Sequence, residues 1–152
     1  MSSSVKRINL PKVALIIYVL VMAWLLFGQR MDEPIVGSYW ENIRSSINFT
    51  PFQTIEYFYR SLMHSTDDYL VKRSAVNLIG NVVMFIPLGF LLPWVFPKLR
   101  SYLKSSAFSA LCIVMIEFVQ LFTLLGGCDI DDFILNMIGA LVGRLLFALK
   151  SD

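Results

Sequence analysis

Residues 74–97 read SAVNLIGNVVMFIPLGFLLPWVFP, a run without a single charged side chain. A helix of about 20 mainly apolar residues crosses the hydrocarbon core of a bilayer, which is about 30 Å thick. The run exceeds that length, and its polar exceptions, Asn77 and Asn81, both lie in its first third. Residues 74–97 therefore predict a transmembrane helix with a polar first third.

Three further stretches are predominantly apolar, and together they predict the fold class. They are Val13 to Gln29, Ser105 to Cys128, which is broken only by Glu117, and Phe133 to Leu149, which is interrupted by Arg144. With 57% hydrophobic and only 16% charged residues, the composition favours lipid over water as the solvent. We predict an all-α membrane protein, a four-transmembrane-helix bundle with an extracytoplasmic amphipathic helix between helices 1 and 2. The predicted bounds are a single domain over residues 1–152, transmembrane helices at about 12–29, 74–96, 104–126 and 131–149, and an outer loop at 30–73 with a helix at about 51–63.

Basic residues predict the orientation of these helices. They precede the first span, separate the second from the third, and end the fourth, whereas the turn at 126–132 carries three carboxylates and no base. Lysine and arginine accumulate on the cytoplasmic side of membrane proteins, so both termini are predicted to be cytoplasmic. The basic start of the chain has no small-residue cleavage site after it and is interpreted as a retained signal anchor. The basic residues concerned are Lys6, Arg7, Lys12, Lys98, Arg100, Lys104, Arg144 and Lys150.

The outer loop contains one helix signal. Thr50 is a suitable N-cap, Pro51 suits the first helical position, and Gln53 is placed for a capping box. Apolar residues then recur at helical spacing from Phe52 to Leu62, which is typical of an interfacial helix or of one that packs over the bundle. A helix is predicted to start at Thr50.

Polar side chains from three predicted helices should meet in the extracytoplasmic half. Asn77 and Asn81 share a face of the second helix, Glu117 and Gln120 share a face of the third, and the spacing from Asp129 through Asp132 to Asn136 predicts one face of the fourth. Asp131 is predicted to point elsewhere, towards solvent. Because such groups are costly beside lipid, we expect a shared recess that binds a ligand. The candidate ligand-binding residues are Asn77, Asn81, Glu117, Gln120, Asp129, Asp132 and Asn136.

Purely structural roles explain part of the same pattern. Asp129 suits an N-cap, Asp131 and Asp132 complement a helix dipole, and amides tie membrane helices together. Pro87 and Pro93 predict a kink or break in the second span, and Gly139-x-x-x-Gly143 predicts a helix-packing surface. Cys112 and Cys128 would lie about 24 Å apart on one helix, beyond disulfide reach.

Conventional catalytic motifs do not occur in the sequence. His64 is the only histidine, so one chain cannot form a two-histidine zinc site, and neither a G-x-S-x-G elbow nor a Walker A loop is present. We predict no cofactor. The alternative is a Mg²⁺ or Ca²⁺ ion held by Asp129, Asp132 and Glu117, because carboxylate oxygens suit these ions.

Several motifs taken together identify a family resemblance. They are NFTPF at 48–52, NLIGN at 77–81, FIPLGFLLP at 85–93, Glu117-x-x-Gln120, DIDD at 129–132 and Asn136-x-x-Gly139. In this order they resemble VanZ-like proteins, over about residues 13–147. Many relatives carry an arginine before the acidic motif, whereas Gly126-Gly127-Cys128 stands here, which argues against direct capture of an anion in that turn.

The resemblance implies an integral membrane protein of the bacterial cell envelope, and some members of the family are linked to reduced susceptibility to teicoplanin and related glycopeptide antibiotics. We therefore expect a non-enzymatic protein of the bacterial cytoplasmic membrane whose outer recess binds a cell-wall or lipid-linked component. One alternative is a metal-assisted enzyme acting on a lipid-linked phosphate or sugar, with Glu117 or Asp132 as acid or base. Another is a small transporter or helical partner of a membrane protein, which could form a homo-oligomer. Membrane lipids are expected partners, whereas a net charge of only +2, dispersed along the chain, predicts no nucleic-acid partner.

Overall fold

The computed structural model describes residues 9–28 and 37–151. Lys6, Arg7 and the part of the predicted outer loop at 29–36 lie outside the described residues. Helices account for nearly all of the described chain. Its elements are α1 (Leu10–Ala23, continued by a π-turn at Trp24–Gly28), α2 (Tyr39–Ser45), β1 (Ile47–Asn48), α3 (Gln53–His64), α4 (Asp68–Val95), a 3₁₀ turn (Pro97–Leu99), α5 (Tyr102–Thr123), β2 (Cys128–Asp129) and α6 (Ile130–Ser151).

The predicted four-helix membrane fold is confirmed. Four helices are long and apolar enough to cross a bilayer, namely Leu10–Gly28, Asp68–Val95, Tyr102–Thr123 and Ile130–Lys150. Three of them lie within a few residues of their predicted bounds. The third ends at Thr123 rather than near residue 126, because Leu124 adopts a left-handed conformation with φ of 57° that terminates the helix.

The second membrane helix, α4, is longer than predicted and starts at Asp68 instead of Ser74. Asp67 caps it, accepting a hydrogen bond from the backbone N–H of Tyr69 at 2.9 Å. The helix is continuous through Pro87 and Pro93, so a break at these prolines is wrong. Membrane helices tolerate proline where neighbouring groups bond the backbone carbonyls that it disturbs.

Helices α4 and α6 form the closest contact in the bundle. A Cβ atom on Gly139 would collide with the carbonyl oxygen of Val82, and one on Gly143 would collide with that of Ile86. Only glycine allows two helix backbones to approach this closely. The seam therefore uses the predicted packing surface, and it sets the register of α6 against α4 along the length of the membrane.

Helix α3 exists as predicted, but its predicted start is wrong. Pro51 lies in a turn, Phe52 occupies the N-cap position with φ of 66°, and the helix begins at Gln53. Thr50 is therefore not the cap. The sequence pattern failed here because the acceptor for the first N–H groups of α3 comes from another helix, as described below.

Candidate functional site

Asp131 is the residue that holds α3 in place. Its carboxylate is fully buried, and it accepts hydrogen bonds from the backbone N–H groups of Phe52 at 2.6 Å, Thr54 at 2.8 Å and Ile55 at 3.1 Å. The first N–H groups of a helix have no partner within it and carry partial positive charge, so a carboxylate is a strong acceptor there. The prediction that Asp131 points to solvent is wrong.

Sequence reasoning missed this role because it tested Asp131 only against the other polar residues of its own helix. A partial signal was present. The sequence places the acidic turn at 126–132 on the same side of the bundle as the loop that precedes α3. Because Thr50 also fits the pattern of a local cap, the sequence does not show that α3 needs an acceptor from elsewhere in the fold.

Asp129 links the outer segment to the α5–α6 turn. One of its oxygens accepts from the hydroxyl of Thr54 at 2.6 Å and the amide of Asn48 at 3.3 Å, and the other accepts from the backbone N–H of Asp131 at 2.9 Å. Asp129 therefore accepts from the first turn of α6, as a cap does, and also cross-links the α5–α6 turn to the segment at 48–54.

A short parallel strand pair reinforces this link. Ile47 pairs with Cys128 and Asn48 with Asp129, and the backbone N–H of Cys128 donates to the carbonyl of Ser46 at 2.8 Å. Segments 46–55 and 127–131 therefore form one unit that covers the end of the bundle. No such pairing was predicted, because two-residue strands leave no hydrophobic period in a sequence.

Asp132 and Glu117 connect this cover to the membrane helices. Asp132 accepts a hydrogen bond from the side-chain amide of Asn81 at 2.7 Å, which joins α6 to α4. Glu117 is 5% exposed and accepts from the backbone N–H of Asp129 at 3.4 Å. We call the end of the bundle formed by Glu117, Asp129, Asp131 and Asp132 the acidic end.

The remaining sequence-predicted residues, Asn77, Gln120 and Asn136, are buried or half-buried and make none of the hydrogen bonds described above. Asn136 is 4% exposed, and its Oδ1 atom has no hydrogen-bond donor among the described residues. The Oδ1 atom of Asn77 is likewise buried and has no donor within that part of the chain. Gln120 is buried on α5. Buried polar atoms are nearly always paired with protein groups or ordered water, so these two oxygens need an external donor.

The electrostatic field of the acidic end acts on the thiol of Cys128. Burial raises the pKa of this thiol, and the negative charges of Glu117 and Asp129 raise it further. The same field favours cationic groups and hydrogen-bond donors and repels anions. Within residues 9–28 and 37–151, no cluster of three histidine, cysteine or acidic side chains has the geometry of a metal site.

Comparison with known proteins places this geometry in a family. The chain is 28% identical to "Protein VanZ" of Enterococcus faecium over 138 residues, which cover 90% of this chain and 73% of that protein. No solved structure matches the chain. The family model described as VanZ/LLP1 matches residues 15–151, which include most of the first membrane helix, the other three membrane helices and the whole acidic end. The chain belongs to the VanZ/LLP1 family.

Proposed function

We propose that this multi-pass membrane protein lies in the bacterial cytoplasmic membrane with its acidic end on the extracytoplasmic side. Arg44, Arg60, Lys72 and Arg73 lie in the outer segment or at the start of α4, on the side of the acidic end. Lys12 lies near the start of α1, and the larger group of basic residues lies at the end opposite the acidic one, namely Lys98, Arg100, Lys104, Arg144 and Lys150. The positive-inside rule then assigns that opposite end to the cytoplasm. This orientation exposes the acidic end to the cell wall.

We further propose that the acidic end binds a hydrogen-bond donor, such as an ammonium or hydroxyl group, of a cell-wall or lipid-linked envelope component. The observation that carries this proposal is the buried Oδ1 atom of Asn136, one helical turn from Asp132, which has no donor in the part of the chain that the structure describes. A ligand that supplies the donor would remove the energetic cost of the unpaired acceptor. Family membership supports the consequence that occupation of this site lowers glycopeptide binding at the cell surface.

Labelled teicoplanin binding to cells tests the proposal, with matched amounts of each variant in the membrane. Wild type should lower the bound antibiotic relative to cells without the protein. Glu117→Gln and Asn136→Leu should restore binding towards the level of those cells. Glu56→Gln changes an exposed carboxylate that pairs with Arg60 and should behave as wild type.

Asn136→Leu separates a binding role from a structural one. Leucine has nearly the shape of asparagine, and replacing a buried unpaired polar group with an apolar group is neutral or stabilising. We therefore expect an unchanged or higher unfolding temperature together with lost protection. Equal antibiotic binding by cells with and without the wild-type protein would overturn the proposed function.

A further inference from the structure

The end of the bundle opposite the acidic one contains a buried arginine. Arg144 of α6 is 9% exposed. Its Nη2 atom donates to the backbone carbonyl of Arg100 at 2.6 Å. The guanidinium carbon lies 5.5 Å from the ring centres of both Tyr102 and Phe147, so an aromatic ring covers it on two sides. The side chain is thus held in position by one carbonyl and two rings.

Two donors of this guanidinium have no partner. The Nε and Nη1 atoms of Arg144 are buried and have no hydrogen-bond acceptor among the described residues. The sequence supplies no carboxylate between Asp68 and Glu117 or between Phe133 and Ser151, and Asp152 lies outside the described residues. An ionisable side chain at membrane depth requires a partner, and here the described chain does not contain an acidic one.

Arg144 lies at an end of the bundle that has several basic side chains and a mainly apolar cavity. We call this region, which contains Lys98, Arg100, Lys104, Arg144 and Lys150, the basic end. A cavity of about 540 Å³ adjoins the turn that holds Arg144. This turn connects the cavity with Arg144. Lys98 lines the cavity, and Arg100, two residues later, provides the carbonyl that accepts the hydrogen bond from Arg144. The lining residues are Phe96, Pro97, Lys98, Leu99 and Phe108.

We propose that the basic end binds one anionic phospholipid, whose phosphate pairs with Arg144 and Lys98 and whose acyl chain lies in the cavity beside Phe108. A phosphate oxygen is a strong, charge-assisted acceptor for a guanidinium N–H, and two N–H donors of Arg144 have no acceptor among the described residues. Tyr102, whose ring covers the guanidinium, is 52% exposed, so a rotation of its side chain would open these donors to the phosphate. Basic pockets between membrane helices bind anionic head groups by the same physics.

The apolar walls favour a phospholipid over free phosphate. Free phosphate would use the cations alone and leave the cavity between Phe96, Leu99 and Phe108 unused. The acyl chain of a phospholipid would cover this apolar surface, and the phosphate of the same molecule would neutralise the cations. This site is independent of the ligand proposed for the acidic end, because the two lie at opposite ends of the bundle.

Native mass spectrometry of the full-length protein in detergent tests this proposal. Phosphatidylglycerol and phosphatidylcholine with identical chains would each be titrated onto wild type, Arg144→Gln, Lys98→Gln, Phe108→Trp and Lys72→Gln. We expect wild type to retain one phosphatidylglycerol and to bind phosphatidylcholine much more weakly. Arg144→Gln should weaken phosphatidylglycerol binding about tenfold or more, since it removes a charged hydrogen-bond donor.

The other variants separate lipid binding from folding and from general charge. Phe108→Trp fills the cavity from a partly lipid-facing position, so it should lose phosphatidylglycerol while keeping the wild-type unfolding temperature. Lys72→Gln removes one positive charge at the other end of α4 and should bind as wild type. If Arg144→Gln does not fold, Lys98→Gln and Phe108→Trp decide the outcome.

Three results would overturn the proposal. They are equal retention of the two lipids, wild-type phosphatidylglycerol binding by both Lys98→Gln and Phe108→Trp, and full displacement of the lipid by excess inorganic phosphate. The last would show a site for a free anion instead of a phospholipid. None of these results depends on the antibiotic assay, so failure here leaves the proposed function standing.

Discussion

The two ends of the bundle treat buried charge in opposite ways. At the acidic end, Asp131 is fully buried and accepts three backbone N–H groups, and Asp129 accepts three further donors. At the basic end, Arg144 has one carbonyl partner and two donors without an acceptor in the described chain. A carboxylate can be satisfied by the start of a helix, whereas a guanidinium with five donors needs several oxygens. We infer from this difference that the acidic network stabilises the fold, whereas Arg144 binds a partner outside the described chain.

Removing the carboxylate of Asp131 should produce the largest effect. Asp131→Ala leaves three partly buried N–H groups at the start of α3 without their acceptor, so we expect a loss of about 3 kcal/mol in the free energy of unfolding. The outer segment should then detach before the membrane helices separate. Limited proteolysis near residues 64–67, with thermal unfolding in detergent, measures this effect.

Asp68→Asn is the matched control, because Asp68 is an exposed carboxylate in the first turn of α4. It should change stability by no more than about 0.5 kcal/mol. Wild-type protease resistance of Asp131→Ala would contradict the role of Asp131 as the cap of α3.

Removing the charge of Arg144 should have a much smaller effect on stability. Arg144→Met gives up one hydrogen bond and two ring contacts, but it also removes two unpaired buried donors. Replacing a poorly compensated buried ion with an apolar side chain is often neutral or stabilising. We expect a change within about 1 kcal/mol in lipid-free detergent, measured by thermal unfolding. A loss as large as that of Asp131→Ala would show that both ends are structural and would remove the contrast between them.

The smallest expected effect concerns the thiol of Cys128. Its raised pKa keeps it protonated at neutral pH, and since the thiolate is the reactive form, alkylation at pH 7 should be slower than for an unperturbed thiol. Glu117→Gln removes one of the negative charges that raise the pKa. The thiolate fraction should then rise, and alkylation at pH 7 should be faster than in the wild type.

This measurement uses a Cys112→Ser background, so that Cys128 is the only thiol. Asp68→Asn serves again as the control, because Asp68 lies on α4 and is not one of the charges that raise the pKa of Cys128. An alkylation profile against pH that is unchanged by Glu117→Gln would show that the charge of Glu117 is screened from the thiol.

The membrane spans could be read from the chain because the bilayer imposes a local rule. Residues 74–97 lack charges over a length that must cross the hydrocarbon core. The segments that become α1, α5 and α6 are also long and predominantly apolar, with Glu117 and Arg144 as the charged exceptions deep within α5 and α6. Helix α2 has a Ser38–Glu41 capping box, but with only seven residues it is too short for apolar residues to recur at helical spacing, so the sequence does not predict it.

The candidate site also has one part that the sequence predicts and one part that it does not. Helical spacing alone predicts that Asn81 and Asp132 face each other, and the structure joins them at 2.7 Å. That spacing says nothing about Asp131, whose partners lie more than 70 residues earlier in the chain on α3. Contacts of this kind depend on how α6 and α3 are placed together, which no local pattern records.

By itself, the sequence determined the membrane class, the four spans and the placing of the acidic turn at 126–132 opposite the basic residues at 98–104, because hydropathy and charge act along short stretches of chain. Only the tertiary structure decided which carboxylate caps α3, that β1 and β2 pair, and that Arg144 has no acidic partner among the described residues. The reason is that each of these depends on hydrogen-bond geometry of a few ångströms between distant segments. Such geometry is set by the close packing of α4 on α6 and not by the residues on either side of each group.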